Sequence, residues 1–344
     1  MVELKDYPAY EPHKPPRWYQ FHAEVSYLDE IEKIWGKKWG AQGIGRLREV
    51  TVVRPTEVEV LPLYDQDTEY FLMHMEKPNL EIMQKQHDGL VEIYKKEGIK
   101  VNYMAFPSQP TGPYGPLKRS ISAAAGFVIN GGAIIPREAT PYWRGRSKYV
   151  AQYLMSIGCP ILYTVHGYGV CEVGAFTRMT DDFIVGMLST DCNLEGLEQV
   201  TPILKRSGYK EILINHSPGL LNVYYPEIVG WIHADMWIAP FDVRLALVYP
   251  PWCDYEMIRR LKELGYKLIE VSQEEQMKYF VCNAITLEPR RIMMIKGASN
   301  AVKALRSEKV DVIEVPYDEV MKYGGGIRCT TMQLLRDEGP RLFD

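Results

Sequence analysis

The chain of 344 residues carries 44 acidic against 40 basic side chains, a formal net charge of -4, with 46% apolar and 24% charged residues. That length supports a core large enough to fold without disulfides or a structural metal, and the charge balance excludes a nucleic-acid binder that depends on an overall basic face. No apolar run reaches the roughly 20 residues needed to cross a bilayer, and residues 1–20 show neither a signal core nor an Arg/Ser-rich amphipathic pattern, so a soluble cytoplasmic protein is expected.

Residues 1–45, rich in Pro and aromatic residues, read as an irregular extension packed on a single domain over 46–344. From Leu90 onward one grammar occurs five times. LVEIYKKEGIKVNYM ends at Met104, VAQYLMSIGCPILYTV at Val165, VTPILKRSGYKEILIN at Asn215, MIRRLKELGYKLIEV at Val271 and AVKALRSEKVDVIEV at Val315. Each predicts a helix followed by a short β-branched strand. Gly98, Gly158, Gly208 and Gly265 stand where the helix must end in a left-handed residue; the fifth copy has Lys309 there. The stretches 126–135, 176–189, 229–249 and 279–296 read as strand pairs, the first turning on Asn130-Gly131-Gly132. The unit is two strands, a helix and a third strand. One such unit cannot bury its sheet and helix alone, so five copies are expected to close into a ring with loops around one central cavity. Two doubly wound domains are the rival architecture.

The six cysteines, at 159, 171, 192, 253, 282 and 329, form no CxxC pair and no zinc spacing. Most are expected to be small buried hydrophobes. Cys329 differs. It follows Gly324, Gly325 and Gly326, whose backbone can approach a ligand closely, and it adjoins Arg328. A neighbouring cation and free backbone N–H groups are two routes to a lowered thiol pKa. A buried structural cysteine after a flexible loop is the alternative. The glycines lack the Lys-Ser/Thr and strand-to-helix setting of a phosphate loop.

His233 and Asp235 interrupt the apolar run VGWIHADMWIAP. On a strand their spacing places both on one face, as a catalytic pair or a satisfied core pair. Glu172, within GYGVCEVGAF, is a carboxylate among small and apolar residues, where it either binds a cation or forms a structural ion pair. The other histidines, at 13, 22, 74, 87, 166 and 216, are expected to be surface or structural.

Together, Glu172, His233-Ala-Asp235, Gly-Gly-Gly-x-x-Cys329 and the stretch 131–146 with Trp143-Arg144-x-Arg146 resemble the guanidino-group-modifying (pentein) enzymes, most closely the arginine:glycine amidinotransferase branch. The resemblance runs in order over roughly residues 45 to 344. It implies a five-bladed αβ-propeller of ββαβ modules. It also implies that Cys329 is the nucleophile, His233 the general acid/base, and Glu172 and Asp235 the carboxylates that hold a guanidinium. Arg328, Gly325, Gly326 and Asn283 complete the candidate substrate-binding set, and neither metal nor organic cofactor is implied. Two acids usual in the family are replaced here, at Ala124 or Ala125 and at Ala175, and Arg328 stands where a His usually precedes the cysteine. A less negative pocket follows, in which Arg328 meets an anionic part of a substrate.

The leading expectation is an amidinotransferase moving the amidino group of arginine or a related guanidino compound to an amine through a Cys329 adduct. A guanidine hydrolase of the deiminase or dihydrolase type is the alternative. A non-catalytic small-molecule-binding member is the third reading. The partners expected are a small guanidino substrate, with an amine acceptor for the transferase. The sequence also admits a homo-oligomer, and it points to neither nucleic acid nor a membrane.

Overall fold

The computed structural model describes residues 13, 26–56, 78–106, 126–139, 144–216, 233–322 and 325–343. Ala124, Ala125, Trp143, Gly324, residues 229–232 and most of the N-terminal extension lie outside them. A helix α1 (Tyr27–Trp35) precedes strand β1 (Leu47–Val52). The five helix–strand units then follow as the sequence reads: α2 (Leu80–Lys96) to β2 (Lys100–Tyr103), α3 (Arg146–Ser156) to β5 (Ile161–Thr164), α4 (Leu194–Arg206) to β8 (Glu211–His216), α5 (Tyr255–Glu263) to β11 (Lys267–Glu270), and α7 (Ser299–Ser307) to β14 (Asp311–Val315).

Local chemistry sets these limits. The side chains of Asn79, Asn193 and Asp254 accept hydrogen bonds from the first turns of α2, α4 and α5, satisfying donors that a helix start leaves open. Each helix exits through a residue with positive φ: Gly98, Gly158, Gly208, Gly265 and, in the fifth copy, Lys309 at 60°. The backbone demands this conformation whether or not a glycine supplies it.

Each unit contributes one three-stranded sheet. The strand pairs β3 (Phe127–Ile129) and β4 (Gly132–Ile135), β6 (Phe176–Arg178) and β7 (Phe183–Leu188), β9 (Ile238–Asp242) and β10 (Leu245–Val248), and β12 (Ile285–Glu288) and β13 (Arg291–Ile295) are antiparallel. The strand after the helix joins each pair in parallel. The fifth sheet is assembled from both ends of the chain. Its inner strand is β15 (Thr331–Arg336), antiparallel to β1, which is parallel to β2.

Burial falls from the first strand of each sheet to the last. β3, β6 and β12 are buried almost throughout, as is β9, whereas β2, β5 and β11 are half-buried or exposed. The first strands therefore face one another across the middle of the molecule. Contacts join β3 to β15, β1 to β12, β12 to β9 and β9 to β6. Between β6 and β3 the Phe176 and Phe127 rings stack at 5.7 Å, and Arg178 Nη2 donates to the Val128 carbonyl at 3.1 Å. Five sheets thus make a closed cycle of contacts. Among the described residues no helix is long and apolar enough to cross a membrane.

α6 (Gln273–Tyr279) and α8 (Asp318–Met321) are insertions beside this repeat. His87, expected at the surface or in a structural place, is fully buried on α2.

Candidate active site

Cys329 lies in the turn between α8 and β15, and the turn is held from both sides. Asn283 Oδ1 accepts from the backbone N–H groups of Arg328 (3.0 Å) and Cys329 (3.4 Å), while its Nδ2 donates to Cys329 Sγ at 3.2 Å. The same Nδ2 lies 3.4 Å from the Asp235 carbonyl oxygen, linking the cysteine turn to the His233 segment. A Cβ on Gly326 would stand 2.4 Å from Asn283 Oδ1, so the glycine permits this clamp. Thr330 Oγ1 bonds back to Ile327 O at 3.0 Å and meets the buried Tyr317 hydroxyl at 2.8 Å. Gly325 and Gly326 are both buried beneath the cysteine.

Burial pushes the Cys329 thiol up to about 11, and the Asp235 carboxylate adds to the rise. The Gly326 backbone, His233 and Asn283 pull the other way without prevailing. The expectation of a thiol lowered by Arg328 and free N–H groups is therefore corrected. The enclosure that positions the sulfur also disfavours its charge.

His233 and Asp235 do not lie on a strand, as their spacing suggested. His233 caps a short 3-10 turn, Ala234–Met236, which carries Asp235 and leads into β9. Glu172 caps a second 3-10 turn, Val173–Ala175, against which the first packs. A Cβ on Gly174 would come within 2.5 Å of His233 Nδ1, so the imidazole lies directly on that glycine. His233 Nε2 is 3.2 Å from Glu172 Oε2 and 3.2 Å from Asp191 Oδ2. Burial works against protonation, yet the two carboxylates raise His233 well above its ordinary range.

Asp191 was not read from the sequence. It sits in Ser189-Thr190-Asp191-Cys192-Asn193, just before α4, where an acid resembles turn or cap chemistry, and Asn193 is in fact the cap. Its partner segment is fixed by three contacts: Glu172 N donates to Asp191 O at 2.9 Å, Asn193 N to Val170 O at 3.0 Å, and the Cys171 and Cys192 sulfurs meet at 3.4 Å. The two carboxylates are thereby placed side by side.

Residues 136–139 and 144–146 pack around Glu172. Ala139 N donates to Glu172 Oε1 at 2.9 Å, Arg146 pairs with the buried Glu138 at 2.8 Å, and Arg144 bonds the carbonyls of Glu138 and Ala139. Burial raises Glu138 to about 7 with help from Glu172, against the pull of Arg146.

Glu172 therefore lies against His233. Asp235 Oδ2 lies 3.7 Å from Arg328 Nε, a charge contact beyond hydrogen-bond distance, and the buried Asp235 Oδ1 has no hydrogen-bond partner among the described residues. Arg328 is buried, and donates through Nη2 to Phe176 O at 2.9 Å and through Nη1 to Thr177 Oγ1 at 3.3 Å. Ala175 is buried in its 3-10 turn and supplies no charge. Glu172, Asp191 and His233 form a group with metal-ligand convergence among the described residues; both carboxylates lie 3.2 Å from the same His233 Nε2, close enough for charge pairing but without hydrogen-bond alignment.

A 2-nitroimidazole nitrohydrolase from Mycobacterium sp. is 30% identical over 331 residues, 92% of this chain and 86% of its own. The family model for N,N dimethylarginine dimethylhydrolase, eukaryotic, matches residues 181–336, a span that holds Asp191, His233, Asp235 and Cys329. The chain belongs to the guanidino-group-modifying superfamily. Solved structures of this superfamily share its fold at low identity. A DDAH from Pseudomonas aeruginosa complexed with citrulline is 17% identical with a TM-score of 0.65, over 84% of this chain and 99% of that one. An amidinotransferase from Microseira wollei is 16% identical with a TM-score of 0.68, over 90% of this chain and 99% of that one. The Mycobacterium relative is named as a hydrolase, and the Microseira structure that shares the fold is named as an amidinotransferase.

Proposed function

We propose that the chain is a hydrolase that displaces a nitrogen group from a carbon flanked by nitrogens, through a thioether intermediate on Cys329. We further propose that residues 46–344 form one domain whose five sheets are the blades of an αβ-propeller, with the site among the loops at its centre. The observation that carries the substrate assignment is the Asp235–Arg328 pair. Arg328, 3.7 Å from Asp235 Oδ2, already offsets part of that carboxylate's charge and so weakens it as an anchor for a second guanidinium. This favours substrates that are neutral or bear an electron-withdrawing group, such as the nitro-substituted imidazole named for the Mycobacterium relative.

In this reading Cys329 loses its proton to solvent as substrate closes the site, and the Asn283 amide N–H stabilises the thiolate. Sulfur attacks the carbon between the nitrogens. The tetrahedral adduct collapses, and the leaving nitrogen group takes the proton of the His233 imidazolium or, where it departs as an anion, that imidazolium releases its proton to solvent. Glu172 and Asp191 orient that imidazolium and hold its charge. Neutral His233 then accepts a proton from water as the water attacks the thio-adduct, and Cys329 leaves as the thiolate. One water is consumed for each nitrogen group released.

Amidino transfer is the second reading, favoured by the in-order stretch 131–146, His233-Ala-Asp235 and the cysteine loop. It differs only in what resolves the adduct, an amine replacing water. Turnover of 2-nitroimidazole, arginine and dimethylarginine in ¹⁸O-water, with and without amines, separates the two. Hydrolysis predicts a product carrying ¹⁸O without any amine. Turnover that requires an amine, with no ¹⁸O in the product, supports transfer. Full activity in Cys329→Ala contradicts both.

A further inference from the structure

Behind the cysteine turn, three arginines converge where the inner strands meet. Arg178 ends β6, Arg336 ends β15 and Arg328 adjoins Cys329; each is at most 9% exposed. Two small cavities share Arg178, Arg328 and Gln333 as walls. One continues to Ile44, Thr286 and Arg336, the other to Val173 and Asp235. Asp235 is the one carboxylate among the residues lining either cavity.

Neutral groups occupy most of the guanidinium donors. Arg336 donates to Gln333 Oε1 at 3.0 Å and to the Gly45 and Thr286 carbonyls at 2.6 Å each. Arg328 donates to Phe176 O and Thr177 Oγ1, with Asp235 its nearest charge at 3.7 Å. Arg178 donates to Val128 O and stacks its guanidinium 4.3 Å over the Phe127 ring, while its buried Nε has no hydrogen-bond partner among the described residues. Carbonyls satisfy N–H groups but do not cancel charge. Among the lining residues three cations stand against one anion, with Asp181 the further buried carboxylate behind Gly43, so positive charge exceeds negative in a desolvated place where an unpaired ion is costly. Arginine does not escape by losing its proton at neutral pH. Burial and mutual repulsion nevertheless draw Arg336 down to about 9, with Arg178 and Arg328 as its repelling neighbours. Asp181 opposes that fall.

We propose that this cavity, walled by Arg178, Arg328 and Arg336, is a binding site for one small monovalent anion of the halide class. Charge sets the sign of the ligand and space sets its size. Each cavity has room for about one water-sized occupant, which admits chloride or bromide and excludes phosphate esters and carboxylate metabolites. Arg178 lines both cavities, and its buried Nε is left without a hydrogen-bond partner among the described residues. The site stands whichever reaction Cys329 performs.

Bromide soaked into crystals of the whole protein is the direct probe, read by its anomalous signal. The expected result is a peak between the Arg178 and Arg328 guanidiniums. In solution, melting temperature is compared in sodium bromide, chloride and gluconate at equal ionic strength. Halide is expected to give a saturable rise of a few degrees over gluconate. Arg178→Met should lose that halide-dependent rise, and Arg336→Gln should weaken it. If both variants fail to fold, the wild-type bromide and melting data decide alone. Water only at the site, with equal melting temperatures in the three salts, overturns the proposal.

Discussion

The side chains around Cys329 set its protonation at rest in a way that can be measured. With burial holding the thiol up at about 11, the thiolate is scarce near neutrality. Alkylation of Cys329 by a neutral reagent is therefore predicted to accelerate about tenfold per pH unit between pH 7 and 9, followed by peptide mapping. A rate already at its plateau at pH 7 would contradict the enclosed-thiol geometry. His233 is set oppositely, because two carboxylates stand 3.2 Å from Nε2. Asp191→Asn removes one of them while burial remains, so the imidazolium should lose its proton at lower pH. The basic limb of the kcat profile is expected to move to lower pH, with activity lost on that limb. An unmoved limb would mean that Glu172 alone holds the histidine. Cys329, His233 and Glu172 were legible in the sequence because a glycine loop, a His in an apolar run and an isolated acid are local anomalies. Asp191 was not, since an Asp beside a helix cap looks ordinary. The Asp235–Arg328 pairing was hidden for another reason: it joins positions nearly a hundred residues apart.

At the scale of elements, the helix–strand units were readable because amphipathic spacing, polar caps and left-handed exits all agree locally. The place where one rule breaks offers a clean test. Lys309 holds φ at 60° in the position that Gly98, Gly158, Gly208 and Gly265 occupy in the other copies. A side chain there costs about 1–2 kcal/mol, and glycine gives back about 0.5–1 kcal/mol through the unfolded chain. Lys309→Gly is thus predicted to stabilise the protein by about 0.5–1 kcal/mol in urea unfolding, without changing activity. The 3-10 turns that carry Glu172 and Asp235 were not legible. Three-residue elements between two strands leave no periodicity, and His233-Ala-Asp235 read as strand because its flanks are apolar.

Across the whole molecule, the sequence showed five copies but not how the ring closes. β15 pairs with β1 across nearly the full chain length, and no local pattern encodes that distance. Closure matters to the site, because the strand that completes the fifth sheet begins two residues after Cys329. Global stability also carries a pH signature from α2. Burial lowers His87 to about 4, against the opposing pull of Asp88, whereas an unfolded histidine titrates near 6.5. The neutral ring therefore contributes fully above pH 6.5, and its contribution is lost as pH falls from there toward 4, up to ~3 kcal/mol. His87→Met should flatten the stability curve across that window, measured by urea unfolding at successive pH values. A mutant curve parallel to wild type would place the acid sensitivity elsewhere.

The central claim is covalent chemistry at one sulfur, and quenched turnover read by intact-protein mass spectrometry tests it most directly. During steady-state turnover of an accepted substrate, the wild-type protein should carry one added fragment of that substrate. Proteolysis should place it on Cys329, and it should disappear as substrate is exhausted. A catalytically active protein whose Cys329 stays unmodified through every quench time would contradict the account.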